Sequence, residues 1–416
     1  MPESPYPMIP VEQALSLILQ EIHPLPPVQV SFDEALGLVL AEDVHATEPL
    51  PPFRAASVDG YAVIASDTTP VRKIVGDQSA GYLSQVSVAP GTAVRVTTGA
   101  PVPQGADAVV MVEFTETREG SVHINSDVRP GDNIRPIGQD IAEGQLVLSR
   151  GTALGPPEIG LLAMIGKTQV LAHPAPRVGV MSTGDELVEP HQPPGPGQIR
   201  DANRFSLMSA VREAGGVPID LGKVTDEPGV LQATLERGLR LADALLTSGG
   251  VSMGQLDLVK PYLARHGKIH FGRVRAKPGK PVTFATLEGV PVFAMPGFPV
   301  SALVSFEIYV RPALRKMAGH THLHRPRRRV TLTHAVTHAA GRTEFQRAIV
   351  TRHSDGRHTA TTTGFQGSGR LLSMHGANAL LILPYQQGDL PAGAEVEAII
   401  TGPLQEANGD PFDRGL

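Results

Sequence analysis

The chain contains no cysteine and no tryptophan. Without cysteine there are no disulfides, no thiol nucleophile and no Cys-ligated zinc, a usage compatible with a cytoplasmic location. Aromatic residues make up only 4%, which argues against a nucleic-acid platform built on stacked rings. Positive charge is not in excess either. Lys and Arg number 36 against 41 Asp and Glu, a net charge of −5, so no general attraction to phosphate backbones or anionic lipid is expected. A long apolar run is also missing. The longest uncharged stretch, "GVPVFAMPGFPVSALVSF" (289–306), is interrupted by Pro291, Pro296 and Pro299 and reads as strand, turn and helix instead of a membrane span. The N-terminal "MPESPYPMIPVEQALSLILQEI" has no basic n-region, and Glu12 and Glu21 break its apolar character, so no signal peptide is expected.

What is present is glycine and proline, 44 and 38 of 416 residues, about a fifth of the chain where about 12% is usual. Their even spread implies many short elements joined by tight turns, and the length implies several domains. Val11, Ala14, Leu15, Ile18 and Ile22 fall on one helical face, and "SFDEALG" offers Ser31 and Glu34 as a capping pair for a short second helix. From 61 to 150 short β-type runs alternate with Gly or Pro, predicting a small all-β domain. "LGPPEIGLLAMIG" (154–166) reads as a helix able to pack back on the first ones. From 175 onward strands and helices alternate, "RVGVMSTG", "NRFSLMSAVREAGG", "VPIDLGKV", "DEPGVLQATLERGLRLA", "DALLTSGG" and "VPVFAMPG" among them, which predicts a doubly wound α/β domain with a parallel sheet. "HTHLHRPRRR" (320–329) reads as a basic linker with its arginines solvated, and its histidines lack a neighbouring carboxylate that would orient them on a metal. Further β-like runs then predict a small C-terminal barrel or sheet. The expected layout is a helical base from 1–47 and 144–174, an inserted β domain over 48–143, an α/β domain over 175–322 and a β domain over 323–408.

In an open α/β sheet ligands bind at the carboxyl ends of the strands. Three glycine-rich turns occupy such positions. "STGDEL" supplies Ser182, Thr183, Gly184 and Glu186; "TSGGVSMG" supplies Ser248, Gly249, Gly250, Ser252 and Gly254; "MPGFPVSA" supplies Pro296, Gly297, Pro299 and Ser301. One such loop alone is more often a plain tight turn, but three at one edge suggest a cradle for an anion. "KPGKP" holds Lys277 and Lys280 close together, where their ammonium groups can neutralise phosphates or an inorganic oxyanion. Acidic residues recur at loops, namely Asp59, Asp140, Asp185, Glu186, Asp226 and Asp257, and carboxylates beside phosphates commonly hold a hard cation such as Mg²⁺. Helix capping alone explains Asp226.

The blocks "SVDGYAV", "TTGAPVPQGADAVVMVE", "PGDNIRPIGQDI", "STGDELVEP", "GPGQIRDANRFSL", "TSGGVSMGQLD", "KPGKPVTF" and "MPGFPVSA" together resemble the molybdopterin molybdenumtransferases, that is, the MoeA proteins and the E domain of gephyrin. The resemblance implies a homodimer of four-domain subunits with a cleft on the α/β domain, completed by the inserted β domain of the other subunit. It implies that adenylated molybdopterin and molybdate are converted to molybdenum cofactor and AMP with Mg²⁺, in the cytoplasm, in company with the adenylating partner protein. Carried over block by block, Asp59, Asp140, Asp257, Lys277 and Lys280 take catalytic roles, and Asp59, Asp140 and Glu186 would hold the metal. Thr98, Asp226 and the residues of the three glycine loops would bind substrate, with "TSGGVSMGQLD" cradling the terminal phosphate of molybdopterin. Phe298, Gln139 and Gln255 depart from the family pattern, which has Asn at the first and frequently Glu at the others. The alternatives are a non-catalytic molybdopterin-binding or scaffold member of the same family, and a generic nucleotide phosphotransferase. The absence of a G-x-x-x-x-G-K-[ST] loop weakens the last.

Overall fold

The computed structural model describes residues 5–225, 227–250 and 258–407. The chain forms two compact units. One takes the described residues of Met1–Val28, Gly37–Ala41 and Leu171–Leu416; the other takes Gln29–Leu36 and Glu42–Val170.

The first unit is built on a six-stranded sheet. In chain order it runs β1 (Arg177–Thr183), α2 (Asn203–Glu213), β2 (Val217–Val224), α3 (Pro228–Leu241), β3 (Ala244–Ser248), α4 (Val259–His266), β4 (Lys268–Phe271), β5 (Thr283–Leu287), β6 (Val290–Met295) and α5 (Pro299–Ser305), with α1 (Val11–Glu21) ahead of them. The strand order is β2-β1-β3-β6-β5-β4. The first four strands are parallel, and β5 alone runs the other way, pairing antiparallel with β6 on one side and with β4 on the other. That departs from the all-parallel expectation for a local reason: only Glu288 and Gly289 separate β5 from β6, and so short a turn can return the chain only antiparallel.

The parallel strands are apolar on both faces because both faces are covered. Val178, Val180, Leu246, Phe293 and Met295 pack to one side with α2 and α5. Met181, Leu245, Val292 and Ala294 pack to the other with Leu235 of α3 and Leu263 of α4. Helix α5 passes through a π turn (Phe306–Val310) into α6 (Arg311–Met317), and Leu25, just after α1, donates its N–H to Met317 O at 2.8 Å.

Five further strands, β7 (Arg327–Leu332), β8 (Thr343–Arg352), β9 (His358–Thr362), β10 (Ala379–Leu383) and β11 (Glu395–Ile400), close into a barrel in the order β8-β9-β7-β11-β10-β8. Its core is narrow, filled by Val330, Leu332, Ala348, Val350, Ala360, Leu381, Val396 and Ala398. The basic run divides. Arg325 is not a solvated residue: it bridges Glu307 at 2.9 Å and Glu213 at 2.6 Å. Arg327 and Arg329 extend from β7 toward Glu397 and Glu395 on β11 at 3.3 and 3.8 Å, exposed pairs that contribute little.

The second unit carries a six-stranded sheet in the order Ala108–Met111, Gly60–Val63, Thr92–Val96, Val71–Gln78, Ser121–Ile124, Thr115–Arg118. The helix Pro156–Met164 starts where Glu158 accepts the Gly155 N–H at 2.9 Å. The expected helix at "SFDEALG" is only a 3-10 turn, Phe32–Glu34, because the Ser31 hydroxyl donates to Asp33 instead of capping.

Candidate functional site

In the first unit the chain leaves β1 toward β2 on one side and leaves β3 toward β6 on the other. The carboxyl ends of β1 and β3 therefore flank the point where the winding reverses, the place where such sheets bind ligands. Thr183 and Gly184 end β1, Ser248, Gly249 and Gly250 end β3, and Pro296 and Gly297 follow β6. Gly249 donates to Met295 O at 3.1 Å, tying two of these ends together. Both glycines are obligatory. They sit at φ +90° and +68°, and a Cβ would come within 2.7 Å of Thr183 O at position 249 and within 2.6 Å of Val259 Cγ2 at position 250.

Asn203, the first residue of α2, fixes the loops. Its Nδ2 donates to Ser248 Oγ and to Gly297 O, both at 2.7 Å. Its Oδ1 is buried and meets no donor among the described residues, an acceptor left open at the switch point. Ser182 turns inward and donates to Asp201 Oδ2 at 2.5 Å. Asp201 in turn accepts from Arg204 Nε at 3.1 Å, and Arg204 reaches Glu189 at 2.6 Å and Asp220 at 2.8 Å. Ser182 and Ser248 are thus engaged within the protein, whereas Glu186 is exposed and folds back over Gly184. Pro296 and Ser301 are buried, and Pro299 opens α5 after the exposed Phe298. Asp226, Ser252, Gly254, Gln255 and Asp257 lie outside the described residues.

Lys277 and Lys280 belong to a cavity of about 760 Å³, within the usual range for a small-molecule site. The "KPGKP" turn and Ser301 form one wall and barrel residues form the other, including His334, Arg342, Glu344 and Phe365. The pairing behind it is a parallel bridge from Ala276 and Lys277 to Thr343 and Glu344 of β8. Lys277, Lys280 and Arg342 face a single carboxylate among the described lining residues, Glu344, so the cavity favours an anion. Sequence reasoning missed the barrel wall, as well as Asp201, Asn203 and Arg204. The last three stand within the quoted "GPGQIRDANRFSL", where an acid and an amide just before a helix were the available signal.

In the second unit, Gly60 pairs with Val96 across antiparallel strands, which brings Asp59 beside Thr98. Asp59 Oδ1 accepts from the Thr98 N–H at 2.6 Å and from its hydroxyl at 2.8 Å. The backbone bond above all, with the hydroxyl next, holds the Asp59 carboxyl below the usual carboxylate range. Asp140 forms an ion pair with Arg135. Asp59 and Asp140 thus lie in the second unit and Glu186 in the first. Among the described residues, no group of three His, Asp or Glu side chains is placed to hold a metal ion.

Three stretches match family models: the MoeA N-terminal region (domain I and II) over residues 9–166, a probable molybdopterin binding domain over 179–316, and the MoeA C-terminal region (domain IV) over 329–401. Molybdopterin molybdenumtransferase 2 of Mycobacterium tuberculosis is 37% identical, covering 93% of this chain and 98% of the relative. The Haemophilus influenzae molybdopterin molybdenumtransferase is 34% identical, covering 94% and 98%. Gephyrin of Dictyostelium discoideum is 37% identical over 96% of this chain, which spans 63% of gephyrin's length. The crystal structure of the molybdopterin biosynthesis MoeA protein from Pyrococcus horikoshii superimposes with a TM-score of 0.82 at 31% identity, covering 95% of this chain and 100% of that one. With the same multidomain α/β architecture and all three regions present in order, the chain belongs to the MoeA family.

Proposed function

We propose that this chain is a molybdopterin molybdenumtransferase of molybdenum cofactor biosynthesis, taking adenylated molybdopterin and molybdate and returning molybdenum cofactor and AMP. The observation that carries the reading is the cationic cavity. Molybdate is a dianion that must approach a phosphate and an adenylate, and Lys277, Lys280 and Arg342 line one chamber on the α/β unit. The glycine turns at Gly249 and Gly250 let the backbone approach a phosphate at the switch point, and the open Asn203 Oδ1 can accept from a ligand N–H or O–H. The four-part layout inferred from sequence, the homodimer, the cytoplasmic location and the adenylating partner protein belong to the same reading.

The carboxylates fit a hard divalent cation: Asp59 is exposed and kept ionised by Thr98, and Asp140 would exchange its Arg135 partner for it. Mg²⁺ held there would offset pyrophosphate charge. Thr98 fixes the orientation of Asp59, and Arg135 holds the charge of Asp140 in place before substrate arrives.

A non-catalytic, molybdopterin-holding role is favoured by one feature. Phe298, at the turn before α5, is 63% exposed and offers a ring where a hydrogen-bonding side chain would assist chemistry. Expression in a bacterial strain lacking its own transferase separates the two. Rescue of molybdoenzyme activity, lost with Lys280→Ala, supports the transferase; a stable protein that binds molybdopterin without rescue supports the holder.

A further inference from the structure

Beneath the cationic cavity lies a buried pair that the reaction as described does not use. Glu344, on β8, is 1% exposed and His338 is 2% exposed. Glu344 Oε1 accepts from Lys277 Nζ at 3.0 Å, and Glu344 Oε2 lies 2.9 Å from His338 Nδ1. The other ring nitrogen of His338, Nε2, lies 3.1 Å from Pro384 O.

A carbonyl oxygen only accepts, so the Nε2 contact requires a proton on Nε2. The contact between Nδ1 and the carboxylate requires a second one. Whether that proton sits on Nδ1 or on Oε2, the His338–Glu344 pair is neutral as a unit. Lys277 then keeps its full positive charge while being held by the carboxylate. An ammonium has three donors: one is anchored on Glu344, and two remain for a ligand. With a second proton absent, the same carboxylate would cancel the lysine and repel a dianion in the chamber that Glu344 lines.

We infer that the Glu344–His338 pair is a positioning device for the oxyanion subsite: its shared proton lets Glu344 hold Lys277 in place without cancelling the charge presented to molybdate. The inference rests on the reading of this cavity as the oxyanion site. The architecture explains why the pair is found here. The parallel bridge sets Lys277 opposite Glu344, and the backbone N–H of His338 donates to Asp389 Oδ1 at 2.8 Å. The charged and titratable groups facing the pair are Lys277 and Lys280 from the turn, His334 and Arg342 from the cavity wall, Arg347 on β8 and Asp389.

The test is calorimetric titration of sodium molybdate into the purified full chain at pH 7. Lys277→Ala examines the cavity reading itself: it weakens binding at least tenfold, and binding equal to wild type removes both readings. His338→Gln leaves a bare carboxylate and weakens binding about tenfold at pH 7. The double variant Glu344→Gln with His338→Gln restores a neutral floor and returns affinity to within about threefold of wild type. Loss of binding in Lys277→Ala with no effect of His338→Gln overturns the pair's role and leaves the cavity reading intact. Should His338→Gln fail to fold, the double variant, which leaves no bare buried charge, decides the matter: affinity more than tenfold below wild type overturns the inference.

Discussion

Replacing Asn203 by Ala separates loop registration from fold stability. The side chain donates two buried hydrogen bonds, to Ser248 Oγ and Gly297 O, together worth about 2 kcal/mol. Against that stands its Oδ1, buried without a donor among the described residues, whose removal relieves about 1 kcal/mol or more. The net loss of stability is therefore only about 1 kcal/mol. The loss of function is larger, because the ends of β3 and β6 lose the bridge that registers them. A misplacement of about an ångström at such a site costs on the order of a hundredfold in rate. Urea unfolding gives the first quantity, and steady-state kcat/KM with adenylated molybdopterin gives the second. A loss above about 3 kcal/mol with kcat/KM unchanged would show that Asn203 is only a packing residue and would refute this reasoning.

Gly249→Ala places a Cβ 2.7 Å from Thr183 O at φ +90° and is expected to cost about 2–4 kcal/mol, read from the urea midpoint, along with most activity. Asp59→Asn keeps an acceptor for Thr98 but removes the charge, so the urea midpoint stays and turnover falls at least a hundredfold. His320 is held down at about 4, first by burial and then by Arg315 and Arg311. The folded state thus binds a proton less readily than the unfolded chain, whose histidine titrates near 6.5. Its contribution is complete above about pH 6.5 and is lost as pH falls toward 4, at most about 3.4 kcal/mol from the shift alone and less once solvent screening of this partly exposed ring is allowed for. His320→Gln should flatten urea midpoints across that window, and an unchanged slope contradicts the assignment.

The three glycine turns were legible because each follows an apolar strand, and a small residue after such a strand marks its carboxyl end directly. Asp59 and Asp140 were legible as acids in loops, but the Thr98 contact depends on Gly60 pairing with Val96, which no local pattern encodes. The barrel wall of the cavity was not legible for the same reason: Arg342 and Glu344 reach "KPGKP" only through a parallel bridge across more than sixty residues. The β5–β6 hairpin escaped notice because "TFATL" and "VPVFAM" are apolar runs whose direction depends on a two-residue turn. Arg325 read as solvated because its ion-pair partners Glu213 and Glu307 stand outside the local run that the sequence displays.

The most direct measurement is AMP release from adenylated molybdopterin by the purified chain, with Mg²⁺ and molybdate together and with each omitted. The expected result is release that requires both and disappears in Asp59→Ala. Tight binding of adenylated molybdopterin with no release under any condition would contradict the transferase reading and leave the chain a molybdopterin-holding member of its family.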